Sequence, residues 1–428
     1  MDQSEARLSW SSDQVDGLVT VLDLIRSRGV ATRPDLVRGS GLGRSVVSQR
    51  VAQLIDCGLL LEGGLAGSTG GRSARELRIR ADAGSVLVAS LGATSIDVAL
   101  ADLSGQLVAQ YVEAANVAHG PEEVLGRVER LFDDLLAGHP SEASRLWGIG
   151  IGLPGPVEFA TGRPVAPPIM PGWDDYPVRE RFAHRHAVPT WVENDVNVMA
   201  LGELRAGVAM DAKDVLFVKI GSGIGAGLIT SGRLHRGAQG AAGDIGHVAV
   251  MEASDVACRC GNINCLEALA GGYALGRQAD IAAAEGRSPF LAGIAHSGHA
   301  LEASDVAEGA NHGDPFCVEL LVRAGHFVGG VLATLVNFYN PSLIVLGGGV
   351  TGAGDLLLAS IRQSVYRRSL PLATRHLRIV CSTLGQDAGA IGAASLVIDE
   401  LFSRLRLGLW LGDGSPRGRI DLSDASAA

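Results

Sequence analysis

Lysine is nearly missing from this chain of 428 residues. Lys213 and Lys219 are the only two, and the other basic residues are all arginine. A GC-rich coding sequence accounts for that bias as readily as a need to bind phosphate, so no function is read from it. Long apolar runs are missing as well. None reaches the roughly 18 residues that cross a bilayer, and the opening Met-Asp-Gln-Ser-Glu-Ala lacks the basic and apolar regions of a signal peptide. The expectation is a cytoplasmic protein with no membrane partner. Cysteine is scarce, six residues in all. Three of them fall within eight positions, which reads as metal binding in a reducing compartment.

Glycine is abundant. The 58 glycines follow no collagen-like period and gather in Gly-x-Gly runs where strands should turn into loops or helices. Apolar residues make up 47% and the mean hydropathy is +0.23, enough to bury sizeable cores. The length exceeds what one core supports, so two or three domains are expected. The net charge of −10 is unevenly spread: residues 1–80 hold 11 Arg against 9 Asp/Glu, a net of +2, which leaves −12 for the rest. A slightly basic head on an acidic body fits a DNA-contacting module joined to a body that does not touch DNA.

In the head, Val15, Leu18, Val19, Leu22 and Ile25 fall at helical spacing and Gly29 stops the run. Thr32, with Pro34 in the first turn and Asp35 three residues on, predicts a capped second helix ending near Ser40-Gly41. A third helix is expected from about Gly43 to Asp56, burying Val47, Val51 and Leu54 and turning Arg44, Ser45, Ser48 and Gln49 outward. In a helix-turn-helix those outward positions reach base edges in the major groove. Strands at about Leu59–Glu62 and Glu76–Arg80 flank a glycine-rich wing carrying Arg72 and Arg75, placed for phosphate or minor-groove contact. Three short helices alone would suit any small domain; the turn spacing, polar leading face and basic wing together point to DNA.

From Val86 the pattern changes. Residues 86–105 read as two strands joined by a tight Gly-Ala-Thr turn, and Trp147–Gly152 as another strand ending in Leu-Pro-Gly-Pro. Val215–Ile220 runs into Gly-Ser-Gly-Ile-Gly-Ala-Gly, and Leu343–Leu346 into Gly347-Gly348-Gly349. Strands leading into glycine turns let backbone N–H groups approach phosphates or sugars closely. Their order suggests an actin-like α/β ATPase architecture of two lobes, and it resembles the ROK family, named for repressors, open reading frames and kinases. The resemblance runs from Asp13 to about Leu405 and includes the winged-helix head that the family's repressors carry and its simple sugar kinases lack.

The implied organisation is a winged helix-turn-helix over 1–82 and a small α/β lobe over 83–200 completed by a C-terminal helix at 387–407. A large lobe over 201–386 and a disordered tail over 408–428 follow. In the family's kinases the first glycine turn begins with Asp, which helps hold the metal–phosphate. Here the matching run is Ser90-Leu91-Gly92-Ala93-Thr94, and Ser90 supplies no carboxylate for Mg²⁺. The body is therefore expected not to be an active kinase.

The run Glu193-Asn194-Asp195-Val196-Asn197 resembles the family's Glu-Asn-Asp-x-Asn motif, which implies that Asn194 binds sugar hydroxyls and that Asp195 is the counterpart of the kinase general base. Read locally, the same pair would simply cap the next helix. Gly240–His247 resembles Ala-Gly-Glu-x-Gly-His with Asp244 in the acidic place, one methylene shorter. Where Ile169 stands the family often has Asn. The sugar contacts implied by the resemblance are Gly155, Asn194, Asp195, Asp244, His247 and Glu267.

Cys258-x-Cys260-x₄-Cys265, with His247 eleven residues upstream, has the donor types of a Cys₃His zinc site with all four positions filled, hence structural. If His247 ligates through one ring nitrogen, its other N–H can face a sugar hydroxyl. Cys57, Cys317 and Cys381 read as small buried hydrophobes. These features lead to a sugar-responsive DNA-binding regulator, a repressor in its favoured form. It would bind operator DNA as a homodimer, with pairing into tetramers left open, and a sugar or sugar phosphate would be its effector. The helices near Val318–Asn337 and Ala388–Leu405 are expected to serve as hinge and dimer elements.

Overall fold

The structure is a computed structural model describing residues 10–65, 74–251, 255–296 and 300–424. The chain forms two compact units, one comprising Met1–Ala166, Met170–Asn194 and Ala390–Ala428, the other Pro167–Ile169 and Asp195–Gly389.

The first unit opens with helices α1 (Ser12–Arg28), α2 (Arg33–Ser40) and α3 (Arg44–Asp56) and the strands β1 (Ala31–Thr32), β2 (Leu60–Leu65) and β3 (Arg75–Ile79), paired in the order β1-β3-β2. Capping fixes the helix starts. Ser11 and Gln14 form a reciprocal capping box at α1, and Thr32 and Asp35 do the same at α2, so two orphan donors are satisfied at each. Leu18, Leu22, Ile25, Leu36, Val47, Val51 and Leu54 close a small core.

The rest of this unit is built on a five-stranded sheet of order β10-β7-β4-β5-β6, with β4 (Ser85–Leu91), β5 (Ser95–Asp102), β6 (Leu107–Ala114), β7 (Leu146–Leu153) and β10 (Thr190–Asn194). The short strands β8 (Val157–Glu158) and β9 (Arg163–Pro164) form a separate ribbon. Strands β4, β7 and β10 are parallel, and β7 is buried at every position, as a strand covered on both faces must be. The helices here are α4 (Pro121–Gly138), α5 (Pro140–Ala143), α6 (Val178–His186) and most of α15 (Asp387–Leu401).

The tail does not match the expected disorder. Residues up to 424 continue through α16 (Leu407–Trp410) and two 3₁₀ turns. Trp410 is 1% exposed, with its ring 5.1 Å from Trp147 and its indole N–H donating to Leu401 O at 2.9 Å, and Leu422 is fully buried. A Gly/Ser/Asp-rich composition suggested a solvated chain, but three apolar side chains with a buried partner for the indole outweigh it. The head rests on this region: Arg26 pairs with Asp399 at 2.5 Å and Arg404 with Asp16 at 3.5 Å.

The second unit holds a sheet of order β13-β12-β11-β14-β15, made of β11 (Val215–Ile220), β12 (Ile224–Thr230), β13 (Arg233–His235), β14 (Leu343–Gly347) and β15 (Arg378–Cys381). Around it lie α7 (Asp195–Ala206), α8 (Leu266–Ala270), α9 (Gly272–Ala284), α10 (Pro289–Ala295), α11 (Ala303–Asn311), α12 (Pro315–Tyr339), α13 (Asp355–Arg368) and α14 (Pro371–Thr374). Although Glu319, Arg323 and His326 interrupt its apolar run, α12 is long and apolar enough to cross a membrane by length and composition. Over half of its most apolar window is buried, including Leu320, Leu321, Val328, Leu332 and Val336, so the helix serves as a core strut.

Candidate functional site

The sequence-predicted nucleic-acid face lies on α3. Val47, Val51 and Leu54 are fully buried, while Arg44, Ser45, Ser48 and Gln49 are exposed on the other side. Gly43 caps the helix without a side-chain bond. Arg75 begins β3 with its side chain 61% exposed, 3.8 Å from Glu62. Arg72 falls outside the described residues.

Two of the expected sugar residues belong to the first unit. The Asn194 side-chain amide donates to Gly155 O at 2.9 Å, and the buried Glu193 carboxylate accepts the Asn194 N–H at 2.9 Å. Parallel pairing of β10 with β7 sets Asn194 opposite Leu153, which brings it to the turn containing Gly155. Ser90 sits on β4 opposite Asp97 of β5 and Gly152 of β7. The Asp97 carboxylate accepts from the Gln110 amide at 3.0 and 3.1 Å.

The other four belong to the second unit. Asp195 opens α7 and is 4% exposed, and its carboxylate is bonded to the Lys219 ammonium of β11. Glu267, in the only turn of α8, accepts the Ile224 N–H at 3.0 Å. Gly223 leaves room for this carboxylate, because a Cβ at that position would lie 2.3 Å from it and the Glu267 side chain would have to move. His247 ends the 3₁₀ turn Ile245–His247, with Nε2 4.0 Å from Asp244 Oδ1.

The opposite edge of that imidazole faces sulfur. His247 Nδ1 is 3.7 Å from Cys258 Sγ, and Cys260 Sγ is 3.7 Å from Cys265 Sγ. The four donor atoms lie within 4.8 Å of one another and could hold a metal ion. A tetrahedron with metal–sulfur arms of about 2.3 Å has edges of about 3.8 Å, so the donor spacing suits that geometry. Local backbone pairing builds the cluster: Cys258 N–H donates to Asn262 O, Val250 N–H to Asn264 O and Leu266 N–H to Val248 O. A backbone hydrogen bond from Asn262 lowers the Cys260 thiol to about 7, while burial pushes Cys265 up to about 12 and raises Cys258.

Sequence reasoning passed over Lys219. Its only signal was compositional, one of two lysines in a chain whose other basic side chains are arginine. Arg259, between two of the cysteines, was also passed over; it stacks on Tyr273 at 4.2 Å.

The ROK family's sequence profile matches residues 87–400. A glucokinase of Halalkalibacterium halodurans is 34% identical over 72% of this chain and 93% of its own length. A xylose repressor of Caldicellulosiruptor bescii is 28% identical over 90% of this chain and 95% of its own. The additional share corresponds in length to the amino-terminal head. Among solved structures, a ROK family transcriptional regulator described as a homologue of Escherichia coli Mlc matches with a TM-score of 0.77 and 25% identity, covering 97% of this chain and all of its own. The chain belongs to the ROK family.

Proposed function

We propose that this protein is a sugar-responsive transcriptional repressor that binds operator DNA as a homodimer and loses operator affinity when a sugar occupies its body. One pairing carries the reading: an exposed polar face on α3, next to a body that keeps Asn194, Asp195, Asp244, His247 and Glu267 but has Ser90 where phosphoryl transfer needs a carboxylate. Arg44, Ser45, Ser48 and Gln49 read base edges, and Arg72 and Arg75 contact the backbone. Gly155, Asn194, Asp195, Asp244, His247 and Glu267 hold the hydroxyls of a sugar or sugar phosphate. The sugar acts only through its differential affinity for the arrangements that bind DNA well and poorly.

His247, Cys258, Cys260 and Cys265 hold a structural zinc ion. Filling all four positions leaves none open for a substrate, so the ion fixes the loop and orients His247. With Nδ1 committed to the metal, the His247 Nε2–H stands beside Asp244, and the two present a donor and an acceptor to adjacent hydroxyls.

The test selects bound sequences from a random duplex pool and then measures affinity with D-glucose, D-xylose or N-acetyl-D-glucosamine added. The expected outcome is one preferred sequence and weaker binding with one of the sugars. Arg44→Ala should weaken binding by about 1–3 kcal/mol and relax one position of the site; unchanged sequence preference would refute that assignment. A second reading, an ATP-dependent sugar kinase with a DNA-binding head, is favoured by the 34% identity to a glucokinase. Sugar-dependent ADP formation by the unaltered protein, abolished by Asp195→Asn, would establish it.

A further inference from the structure

Asp195 is not a lone carboxylate. Its side chain is 6% exposed and salt-bridged to Lys219, itself 19% exposed. The fold makes room for this pair through glycines. Lys219 lies on β11 between Gly225 of β12 and Gly347 of β14, so neither cross-strand neighbour has a side chain to crowd it. A Cβ at Gly225 would lie 3.0 Å from Val196, so its absence lets the start of α7 settle on the sheet and brings Asp195 to the lysine. Beyond the strand, a Cβ at Gly221 would lie 3.2 Å from Lys219 Cε, so the turn also leaves space for the stem.

The consequence concerns proton transfer. Phosphorylating a sugar requires a hydroxyl oxygen to attack the γ-phosphorus of ATP. The bond to the bridging oxygen breaks, ADP departs, and the hydroxyl proton passes to a base. Lys219 already donates to Asp195 Oδ2. That oxygen is therefore already engaged, and a proton arriving there would have to displace the ammonium. We propose that Lys219 is a positioning residue that holds Asp195 as a fixed acceptor for a sugar hydroxyl and withholds it from proton abstraction, a second block on phosphoryl transfer independent of Ser90. This rests on the repressor reading given above.

The experiment compares Ser90→Asp, Ser90→Asp/Lys219→Met and Ser90→Asp/Lys219→Arg in a coupled ADP assay with ATP, Mg²⁺ and the same three sugars. Calorimetric sugar binding and thermal melting are recorded for each variant. Ser90→Asp alone should show no turnover above the unaltered protein. Adding Lys219→Met should raise sugar-dependent turnover at least tenfold, and Asp195→Asn should abolish that gain. Lys219→Arg should restore the block by keeping the cation. If Lys219→Met does not fold, Lys219→Gln serves in its place. Full turnover by Ser90→Asp alone overturns the proposal, as does a folded, sugar-binding double variant with no gain. Turnover by the unaltered protein instead overturns the repressor reading, so the two failures are distinct.

Discussion

Trp410→Ala tests whether the carboxy-terminal tail belongs to the fold. The indole is 1% exposed, lies against Trp147 at 5.1 Å and Phe402 at 6.1 Å, and donates to Leu401 O. A tryptophan buries about 150–250 Å², worth about 4–6 kcal/mol at about 25 cal/mol per Å² as an upper bound. Measured truncations of buried Trp cluster at about 3–5 kcal/mol, because the surroundings collapse only in part. The lost hydrogen bond contributes about 1 kcal/mol within that range. For a unit of this size each kcal/mol moves melting by about 2–4 °C, so the first unit should melt about 6–20 °C lower. The assay is scanning calorimetry, with hydrogen exchange over residues 403–424 as the local readout. A shift below about 2 °C, with tail amides already unprotected in the unaltered protein, would refute the packing argument. Because Arg404 pairs with Asp16 and Arg26 with Asp399, the same variant should also increase exchange in α1.

Two further outcomes follow from other parts of the molecule. Chelation should lower the melting of the second unit and weaken sugar binding, and zinc, but not magnesium, should restore both, because thiolate and imidazole donors suit a softer cation; unaltered melting and sugar binding after chelation would remove the metal from the account. His186 lies against Phe132, its Nε2 is buried without a partner, and burial holds its imidazole below the usual value of 6.5. A depressed value means the fold favours the neutral ring, so its contribution is complete above about pH 6.5 and is lost as pH falls through the folded value. Urea midpoints from pH 8 to 5 should therefore fall relative to those of His186→Phe, and a constant difference across that range rejects the assignment.

Local signals carried far in this chain. Thr32 with Asp35, Gly29 after a helical stripe, and the strands running into Gly221 and Gly347 are each set by neighbours within a few residues, and the structure has those elements at those places. The cysteine cluster was legible for the same reason: Cys258, Cys260 and Cys265 lie on one short loop, and His247 is only eleven residues away. The membrane-length character of α12 was missed because its apolar residues are interrupted by Glu319, Arg323 and His326, which break a run without breaking a buried stripe.

The sequence by itself determined the head helices, the strand ends and the donor types of the Cys/His cluster, because each depends on residue identity and short-range spacing. Only the tertiary structure decided where the tail goes and what Asp195 faces. Trp410 reaches Trp147 across more than 260 positions, and Lys219 reaches Asp195 from a different element, through a gap left by glycines on two flanking strands. Neither contact has a period or a motif. Each exists because close packing brings distant side chains together, and a buried group then takes whatever partner the fold supplies.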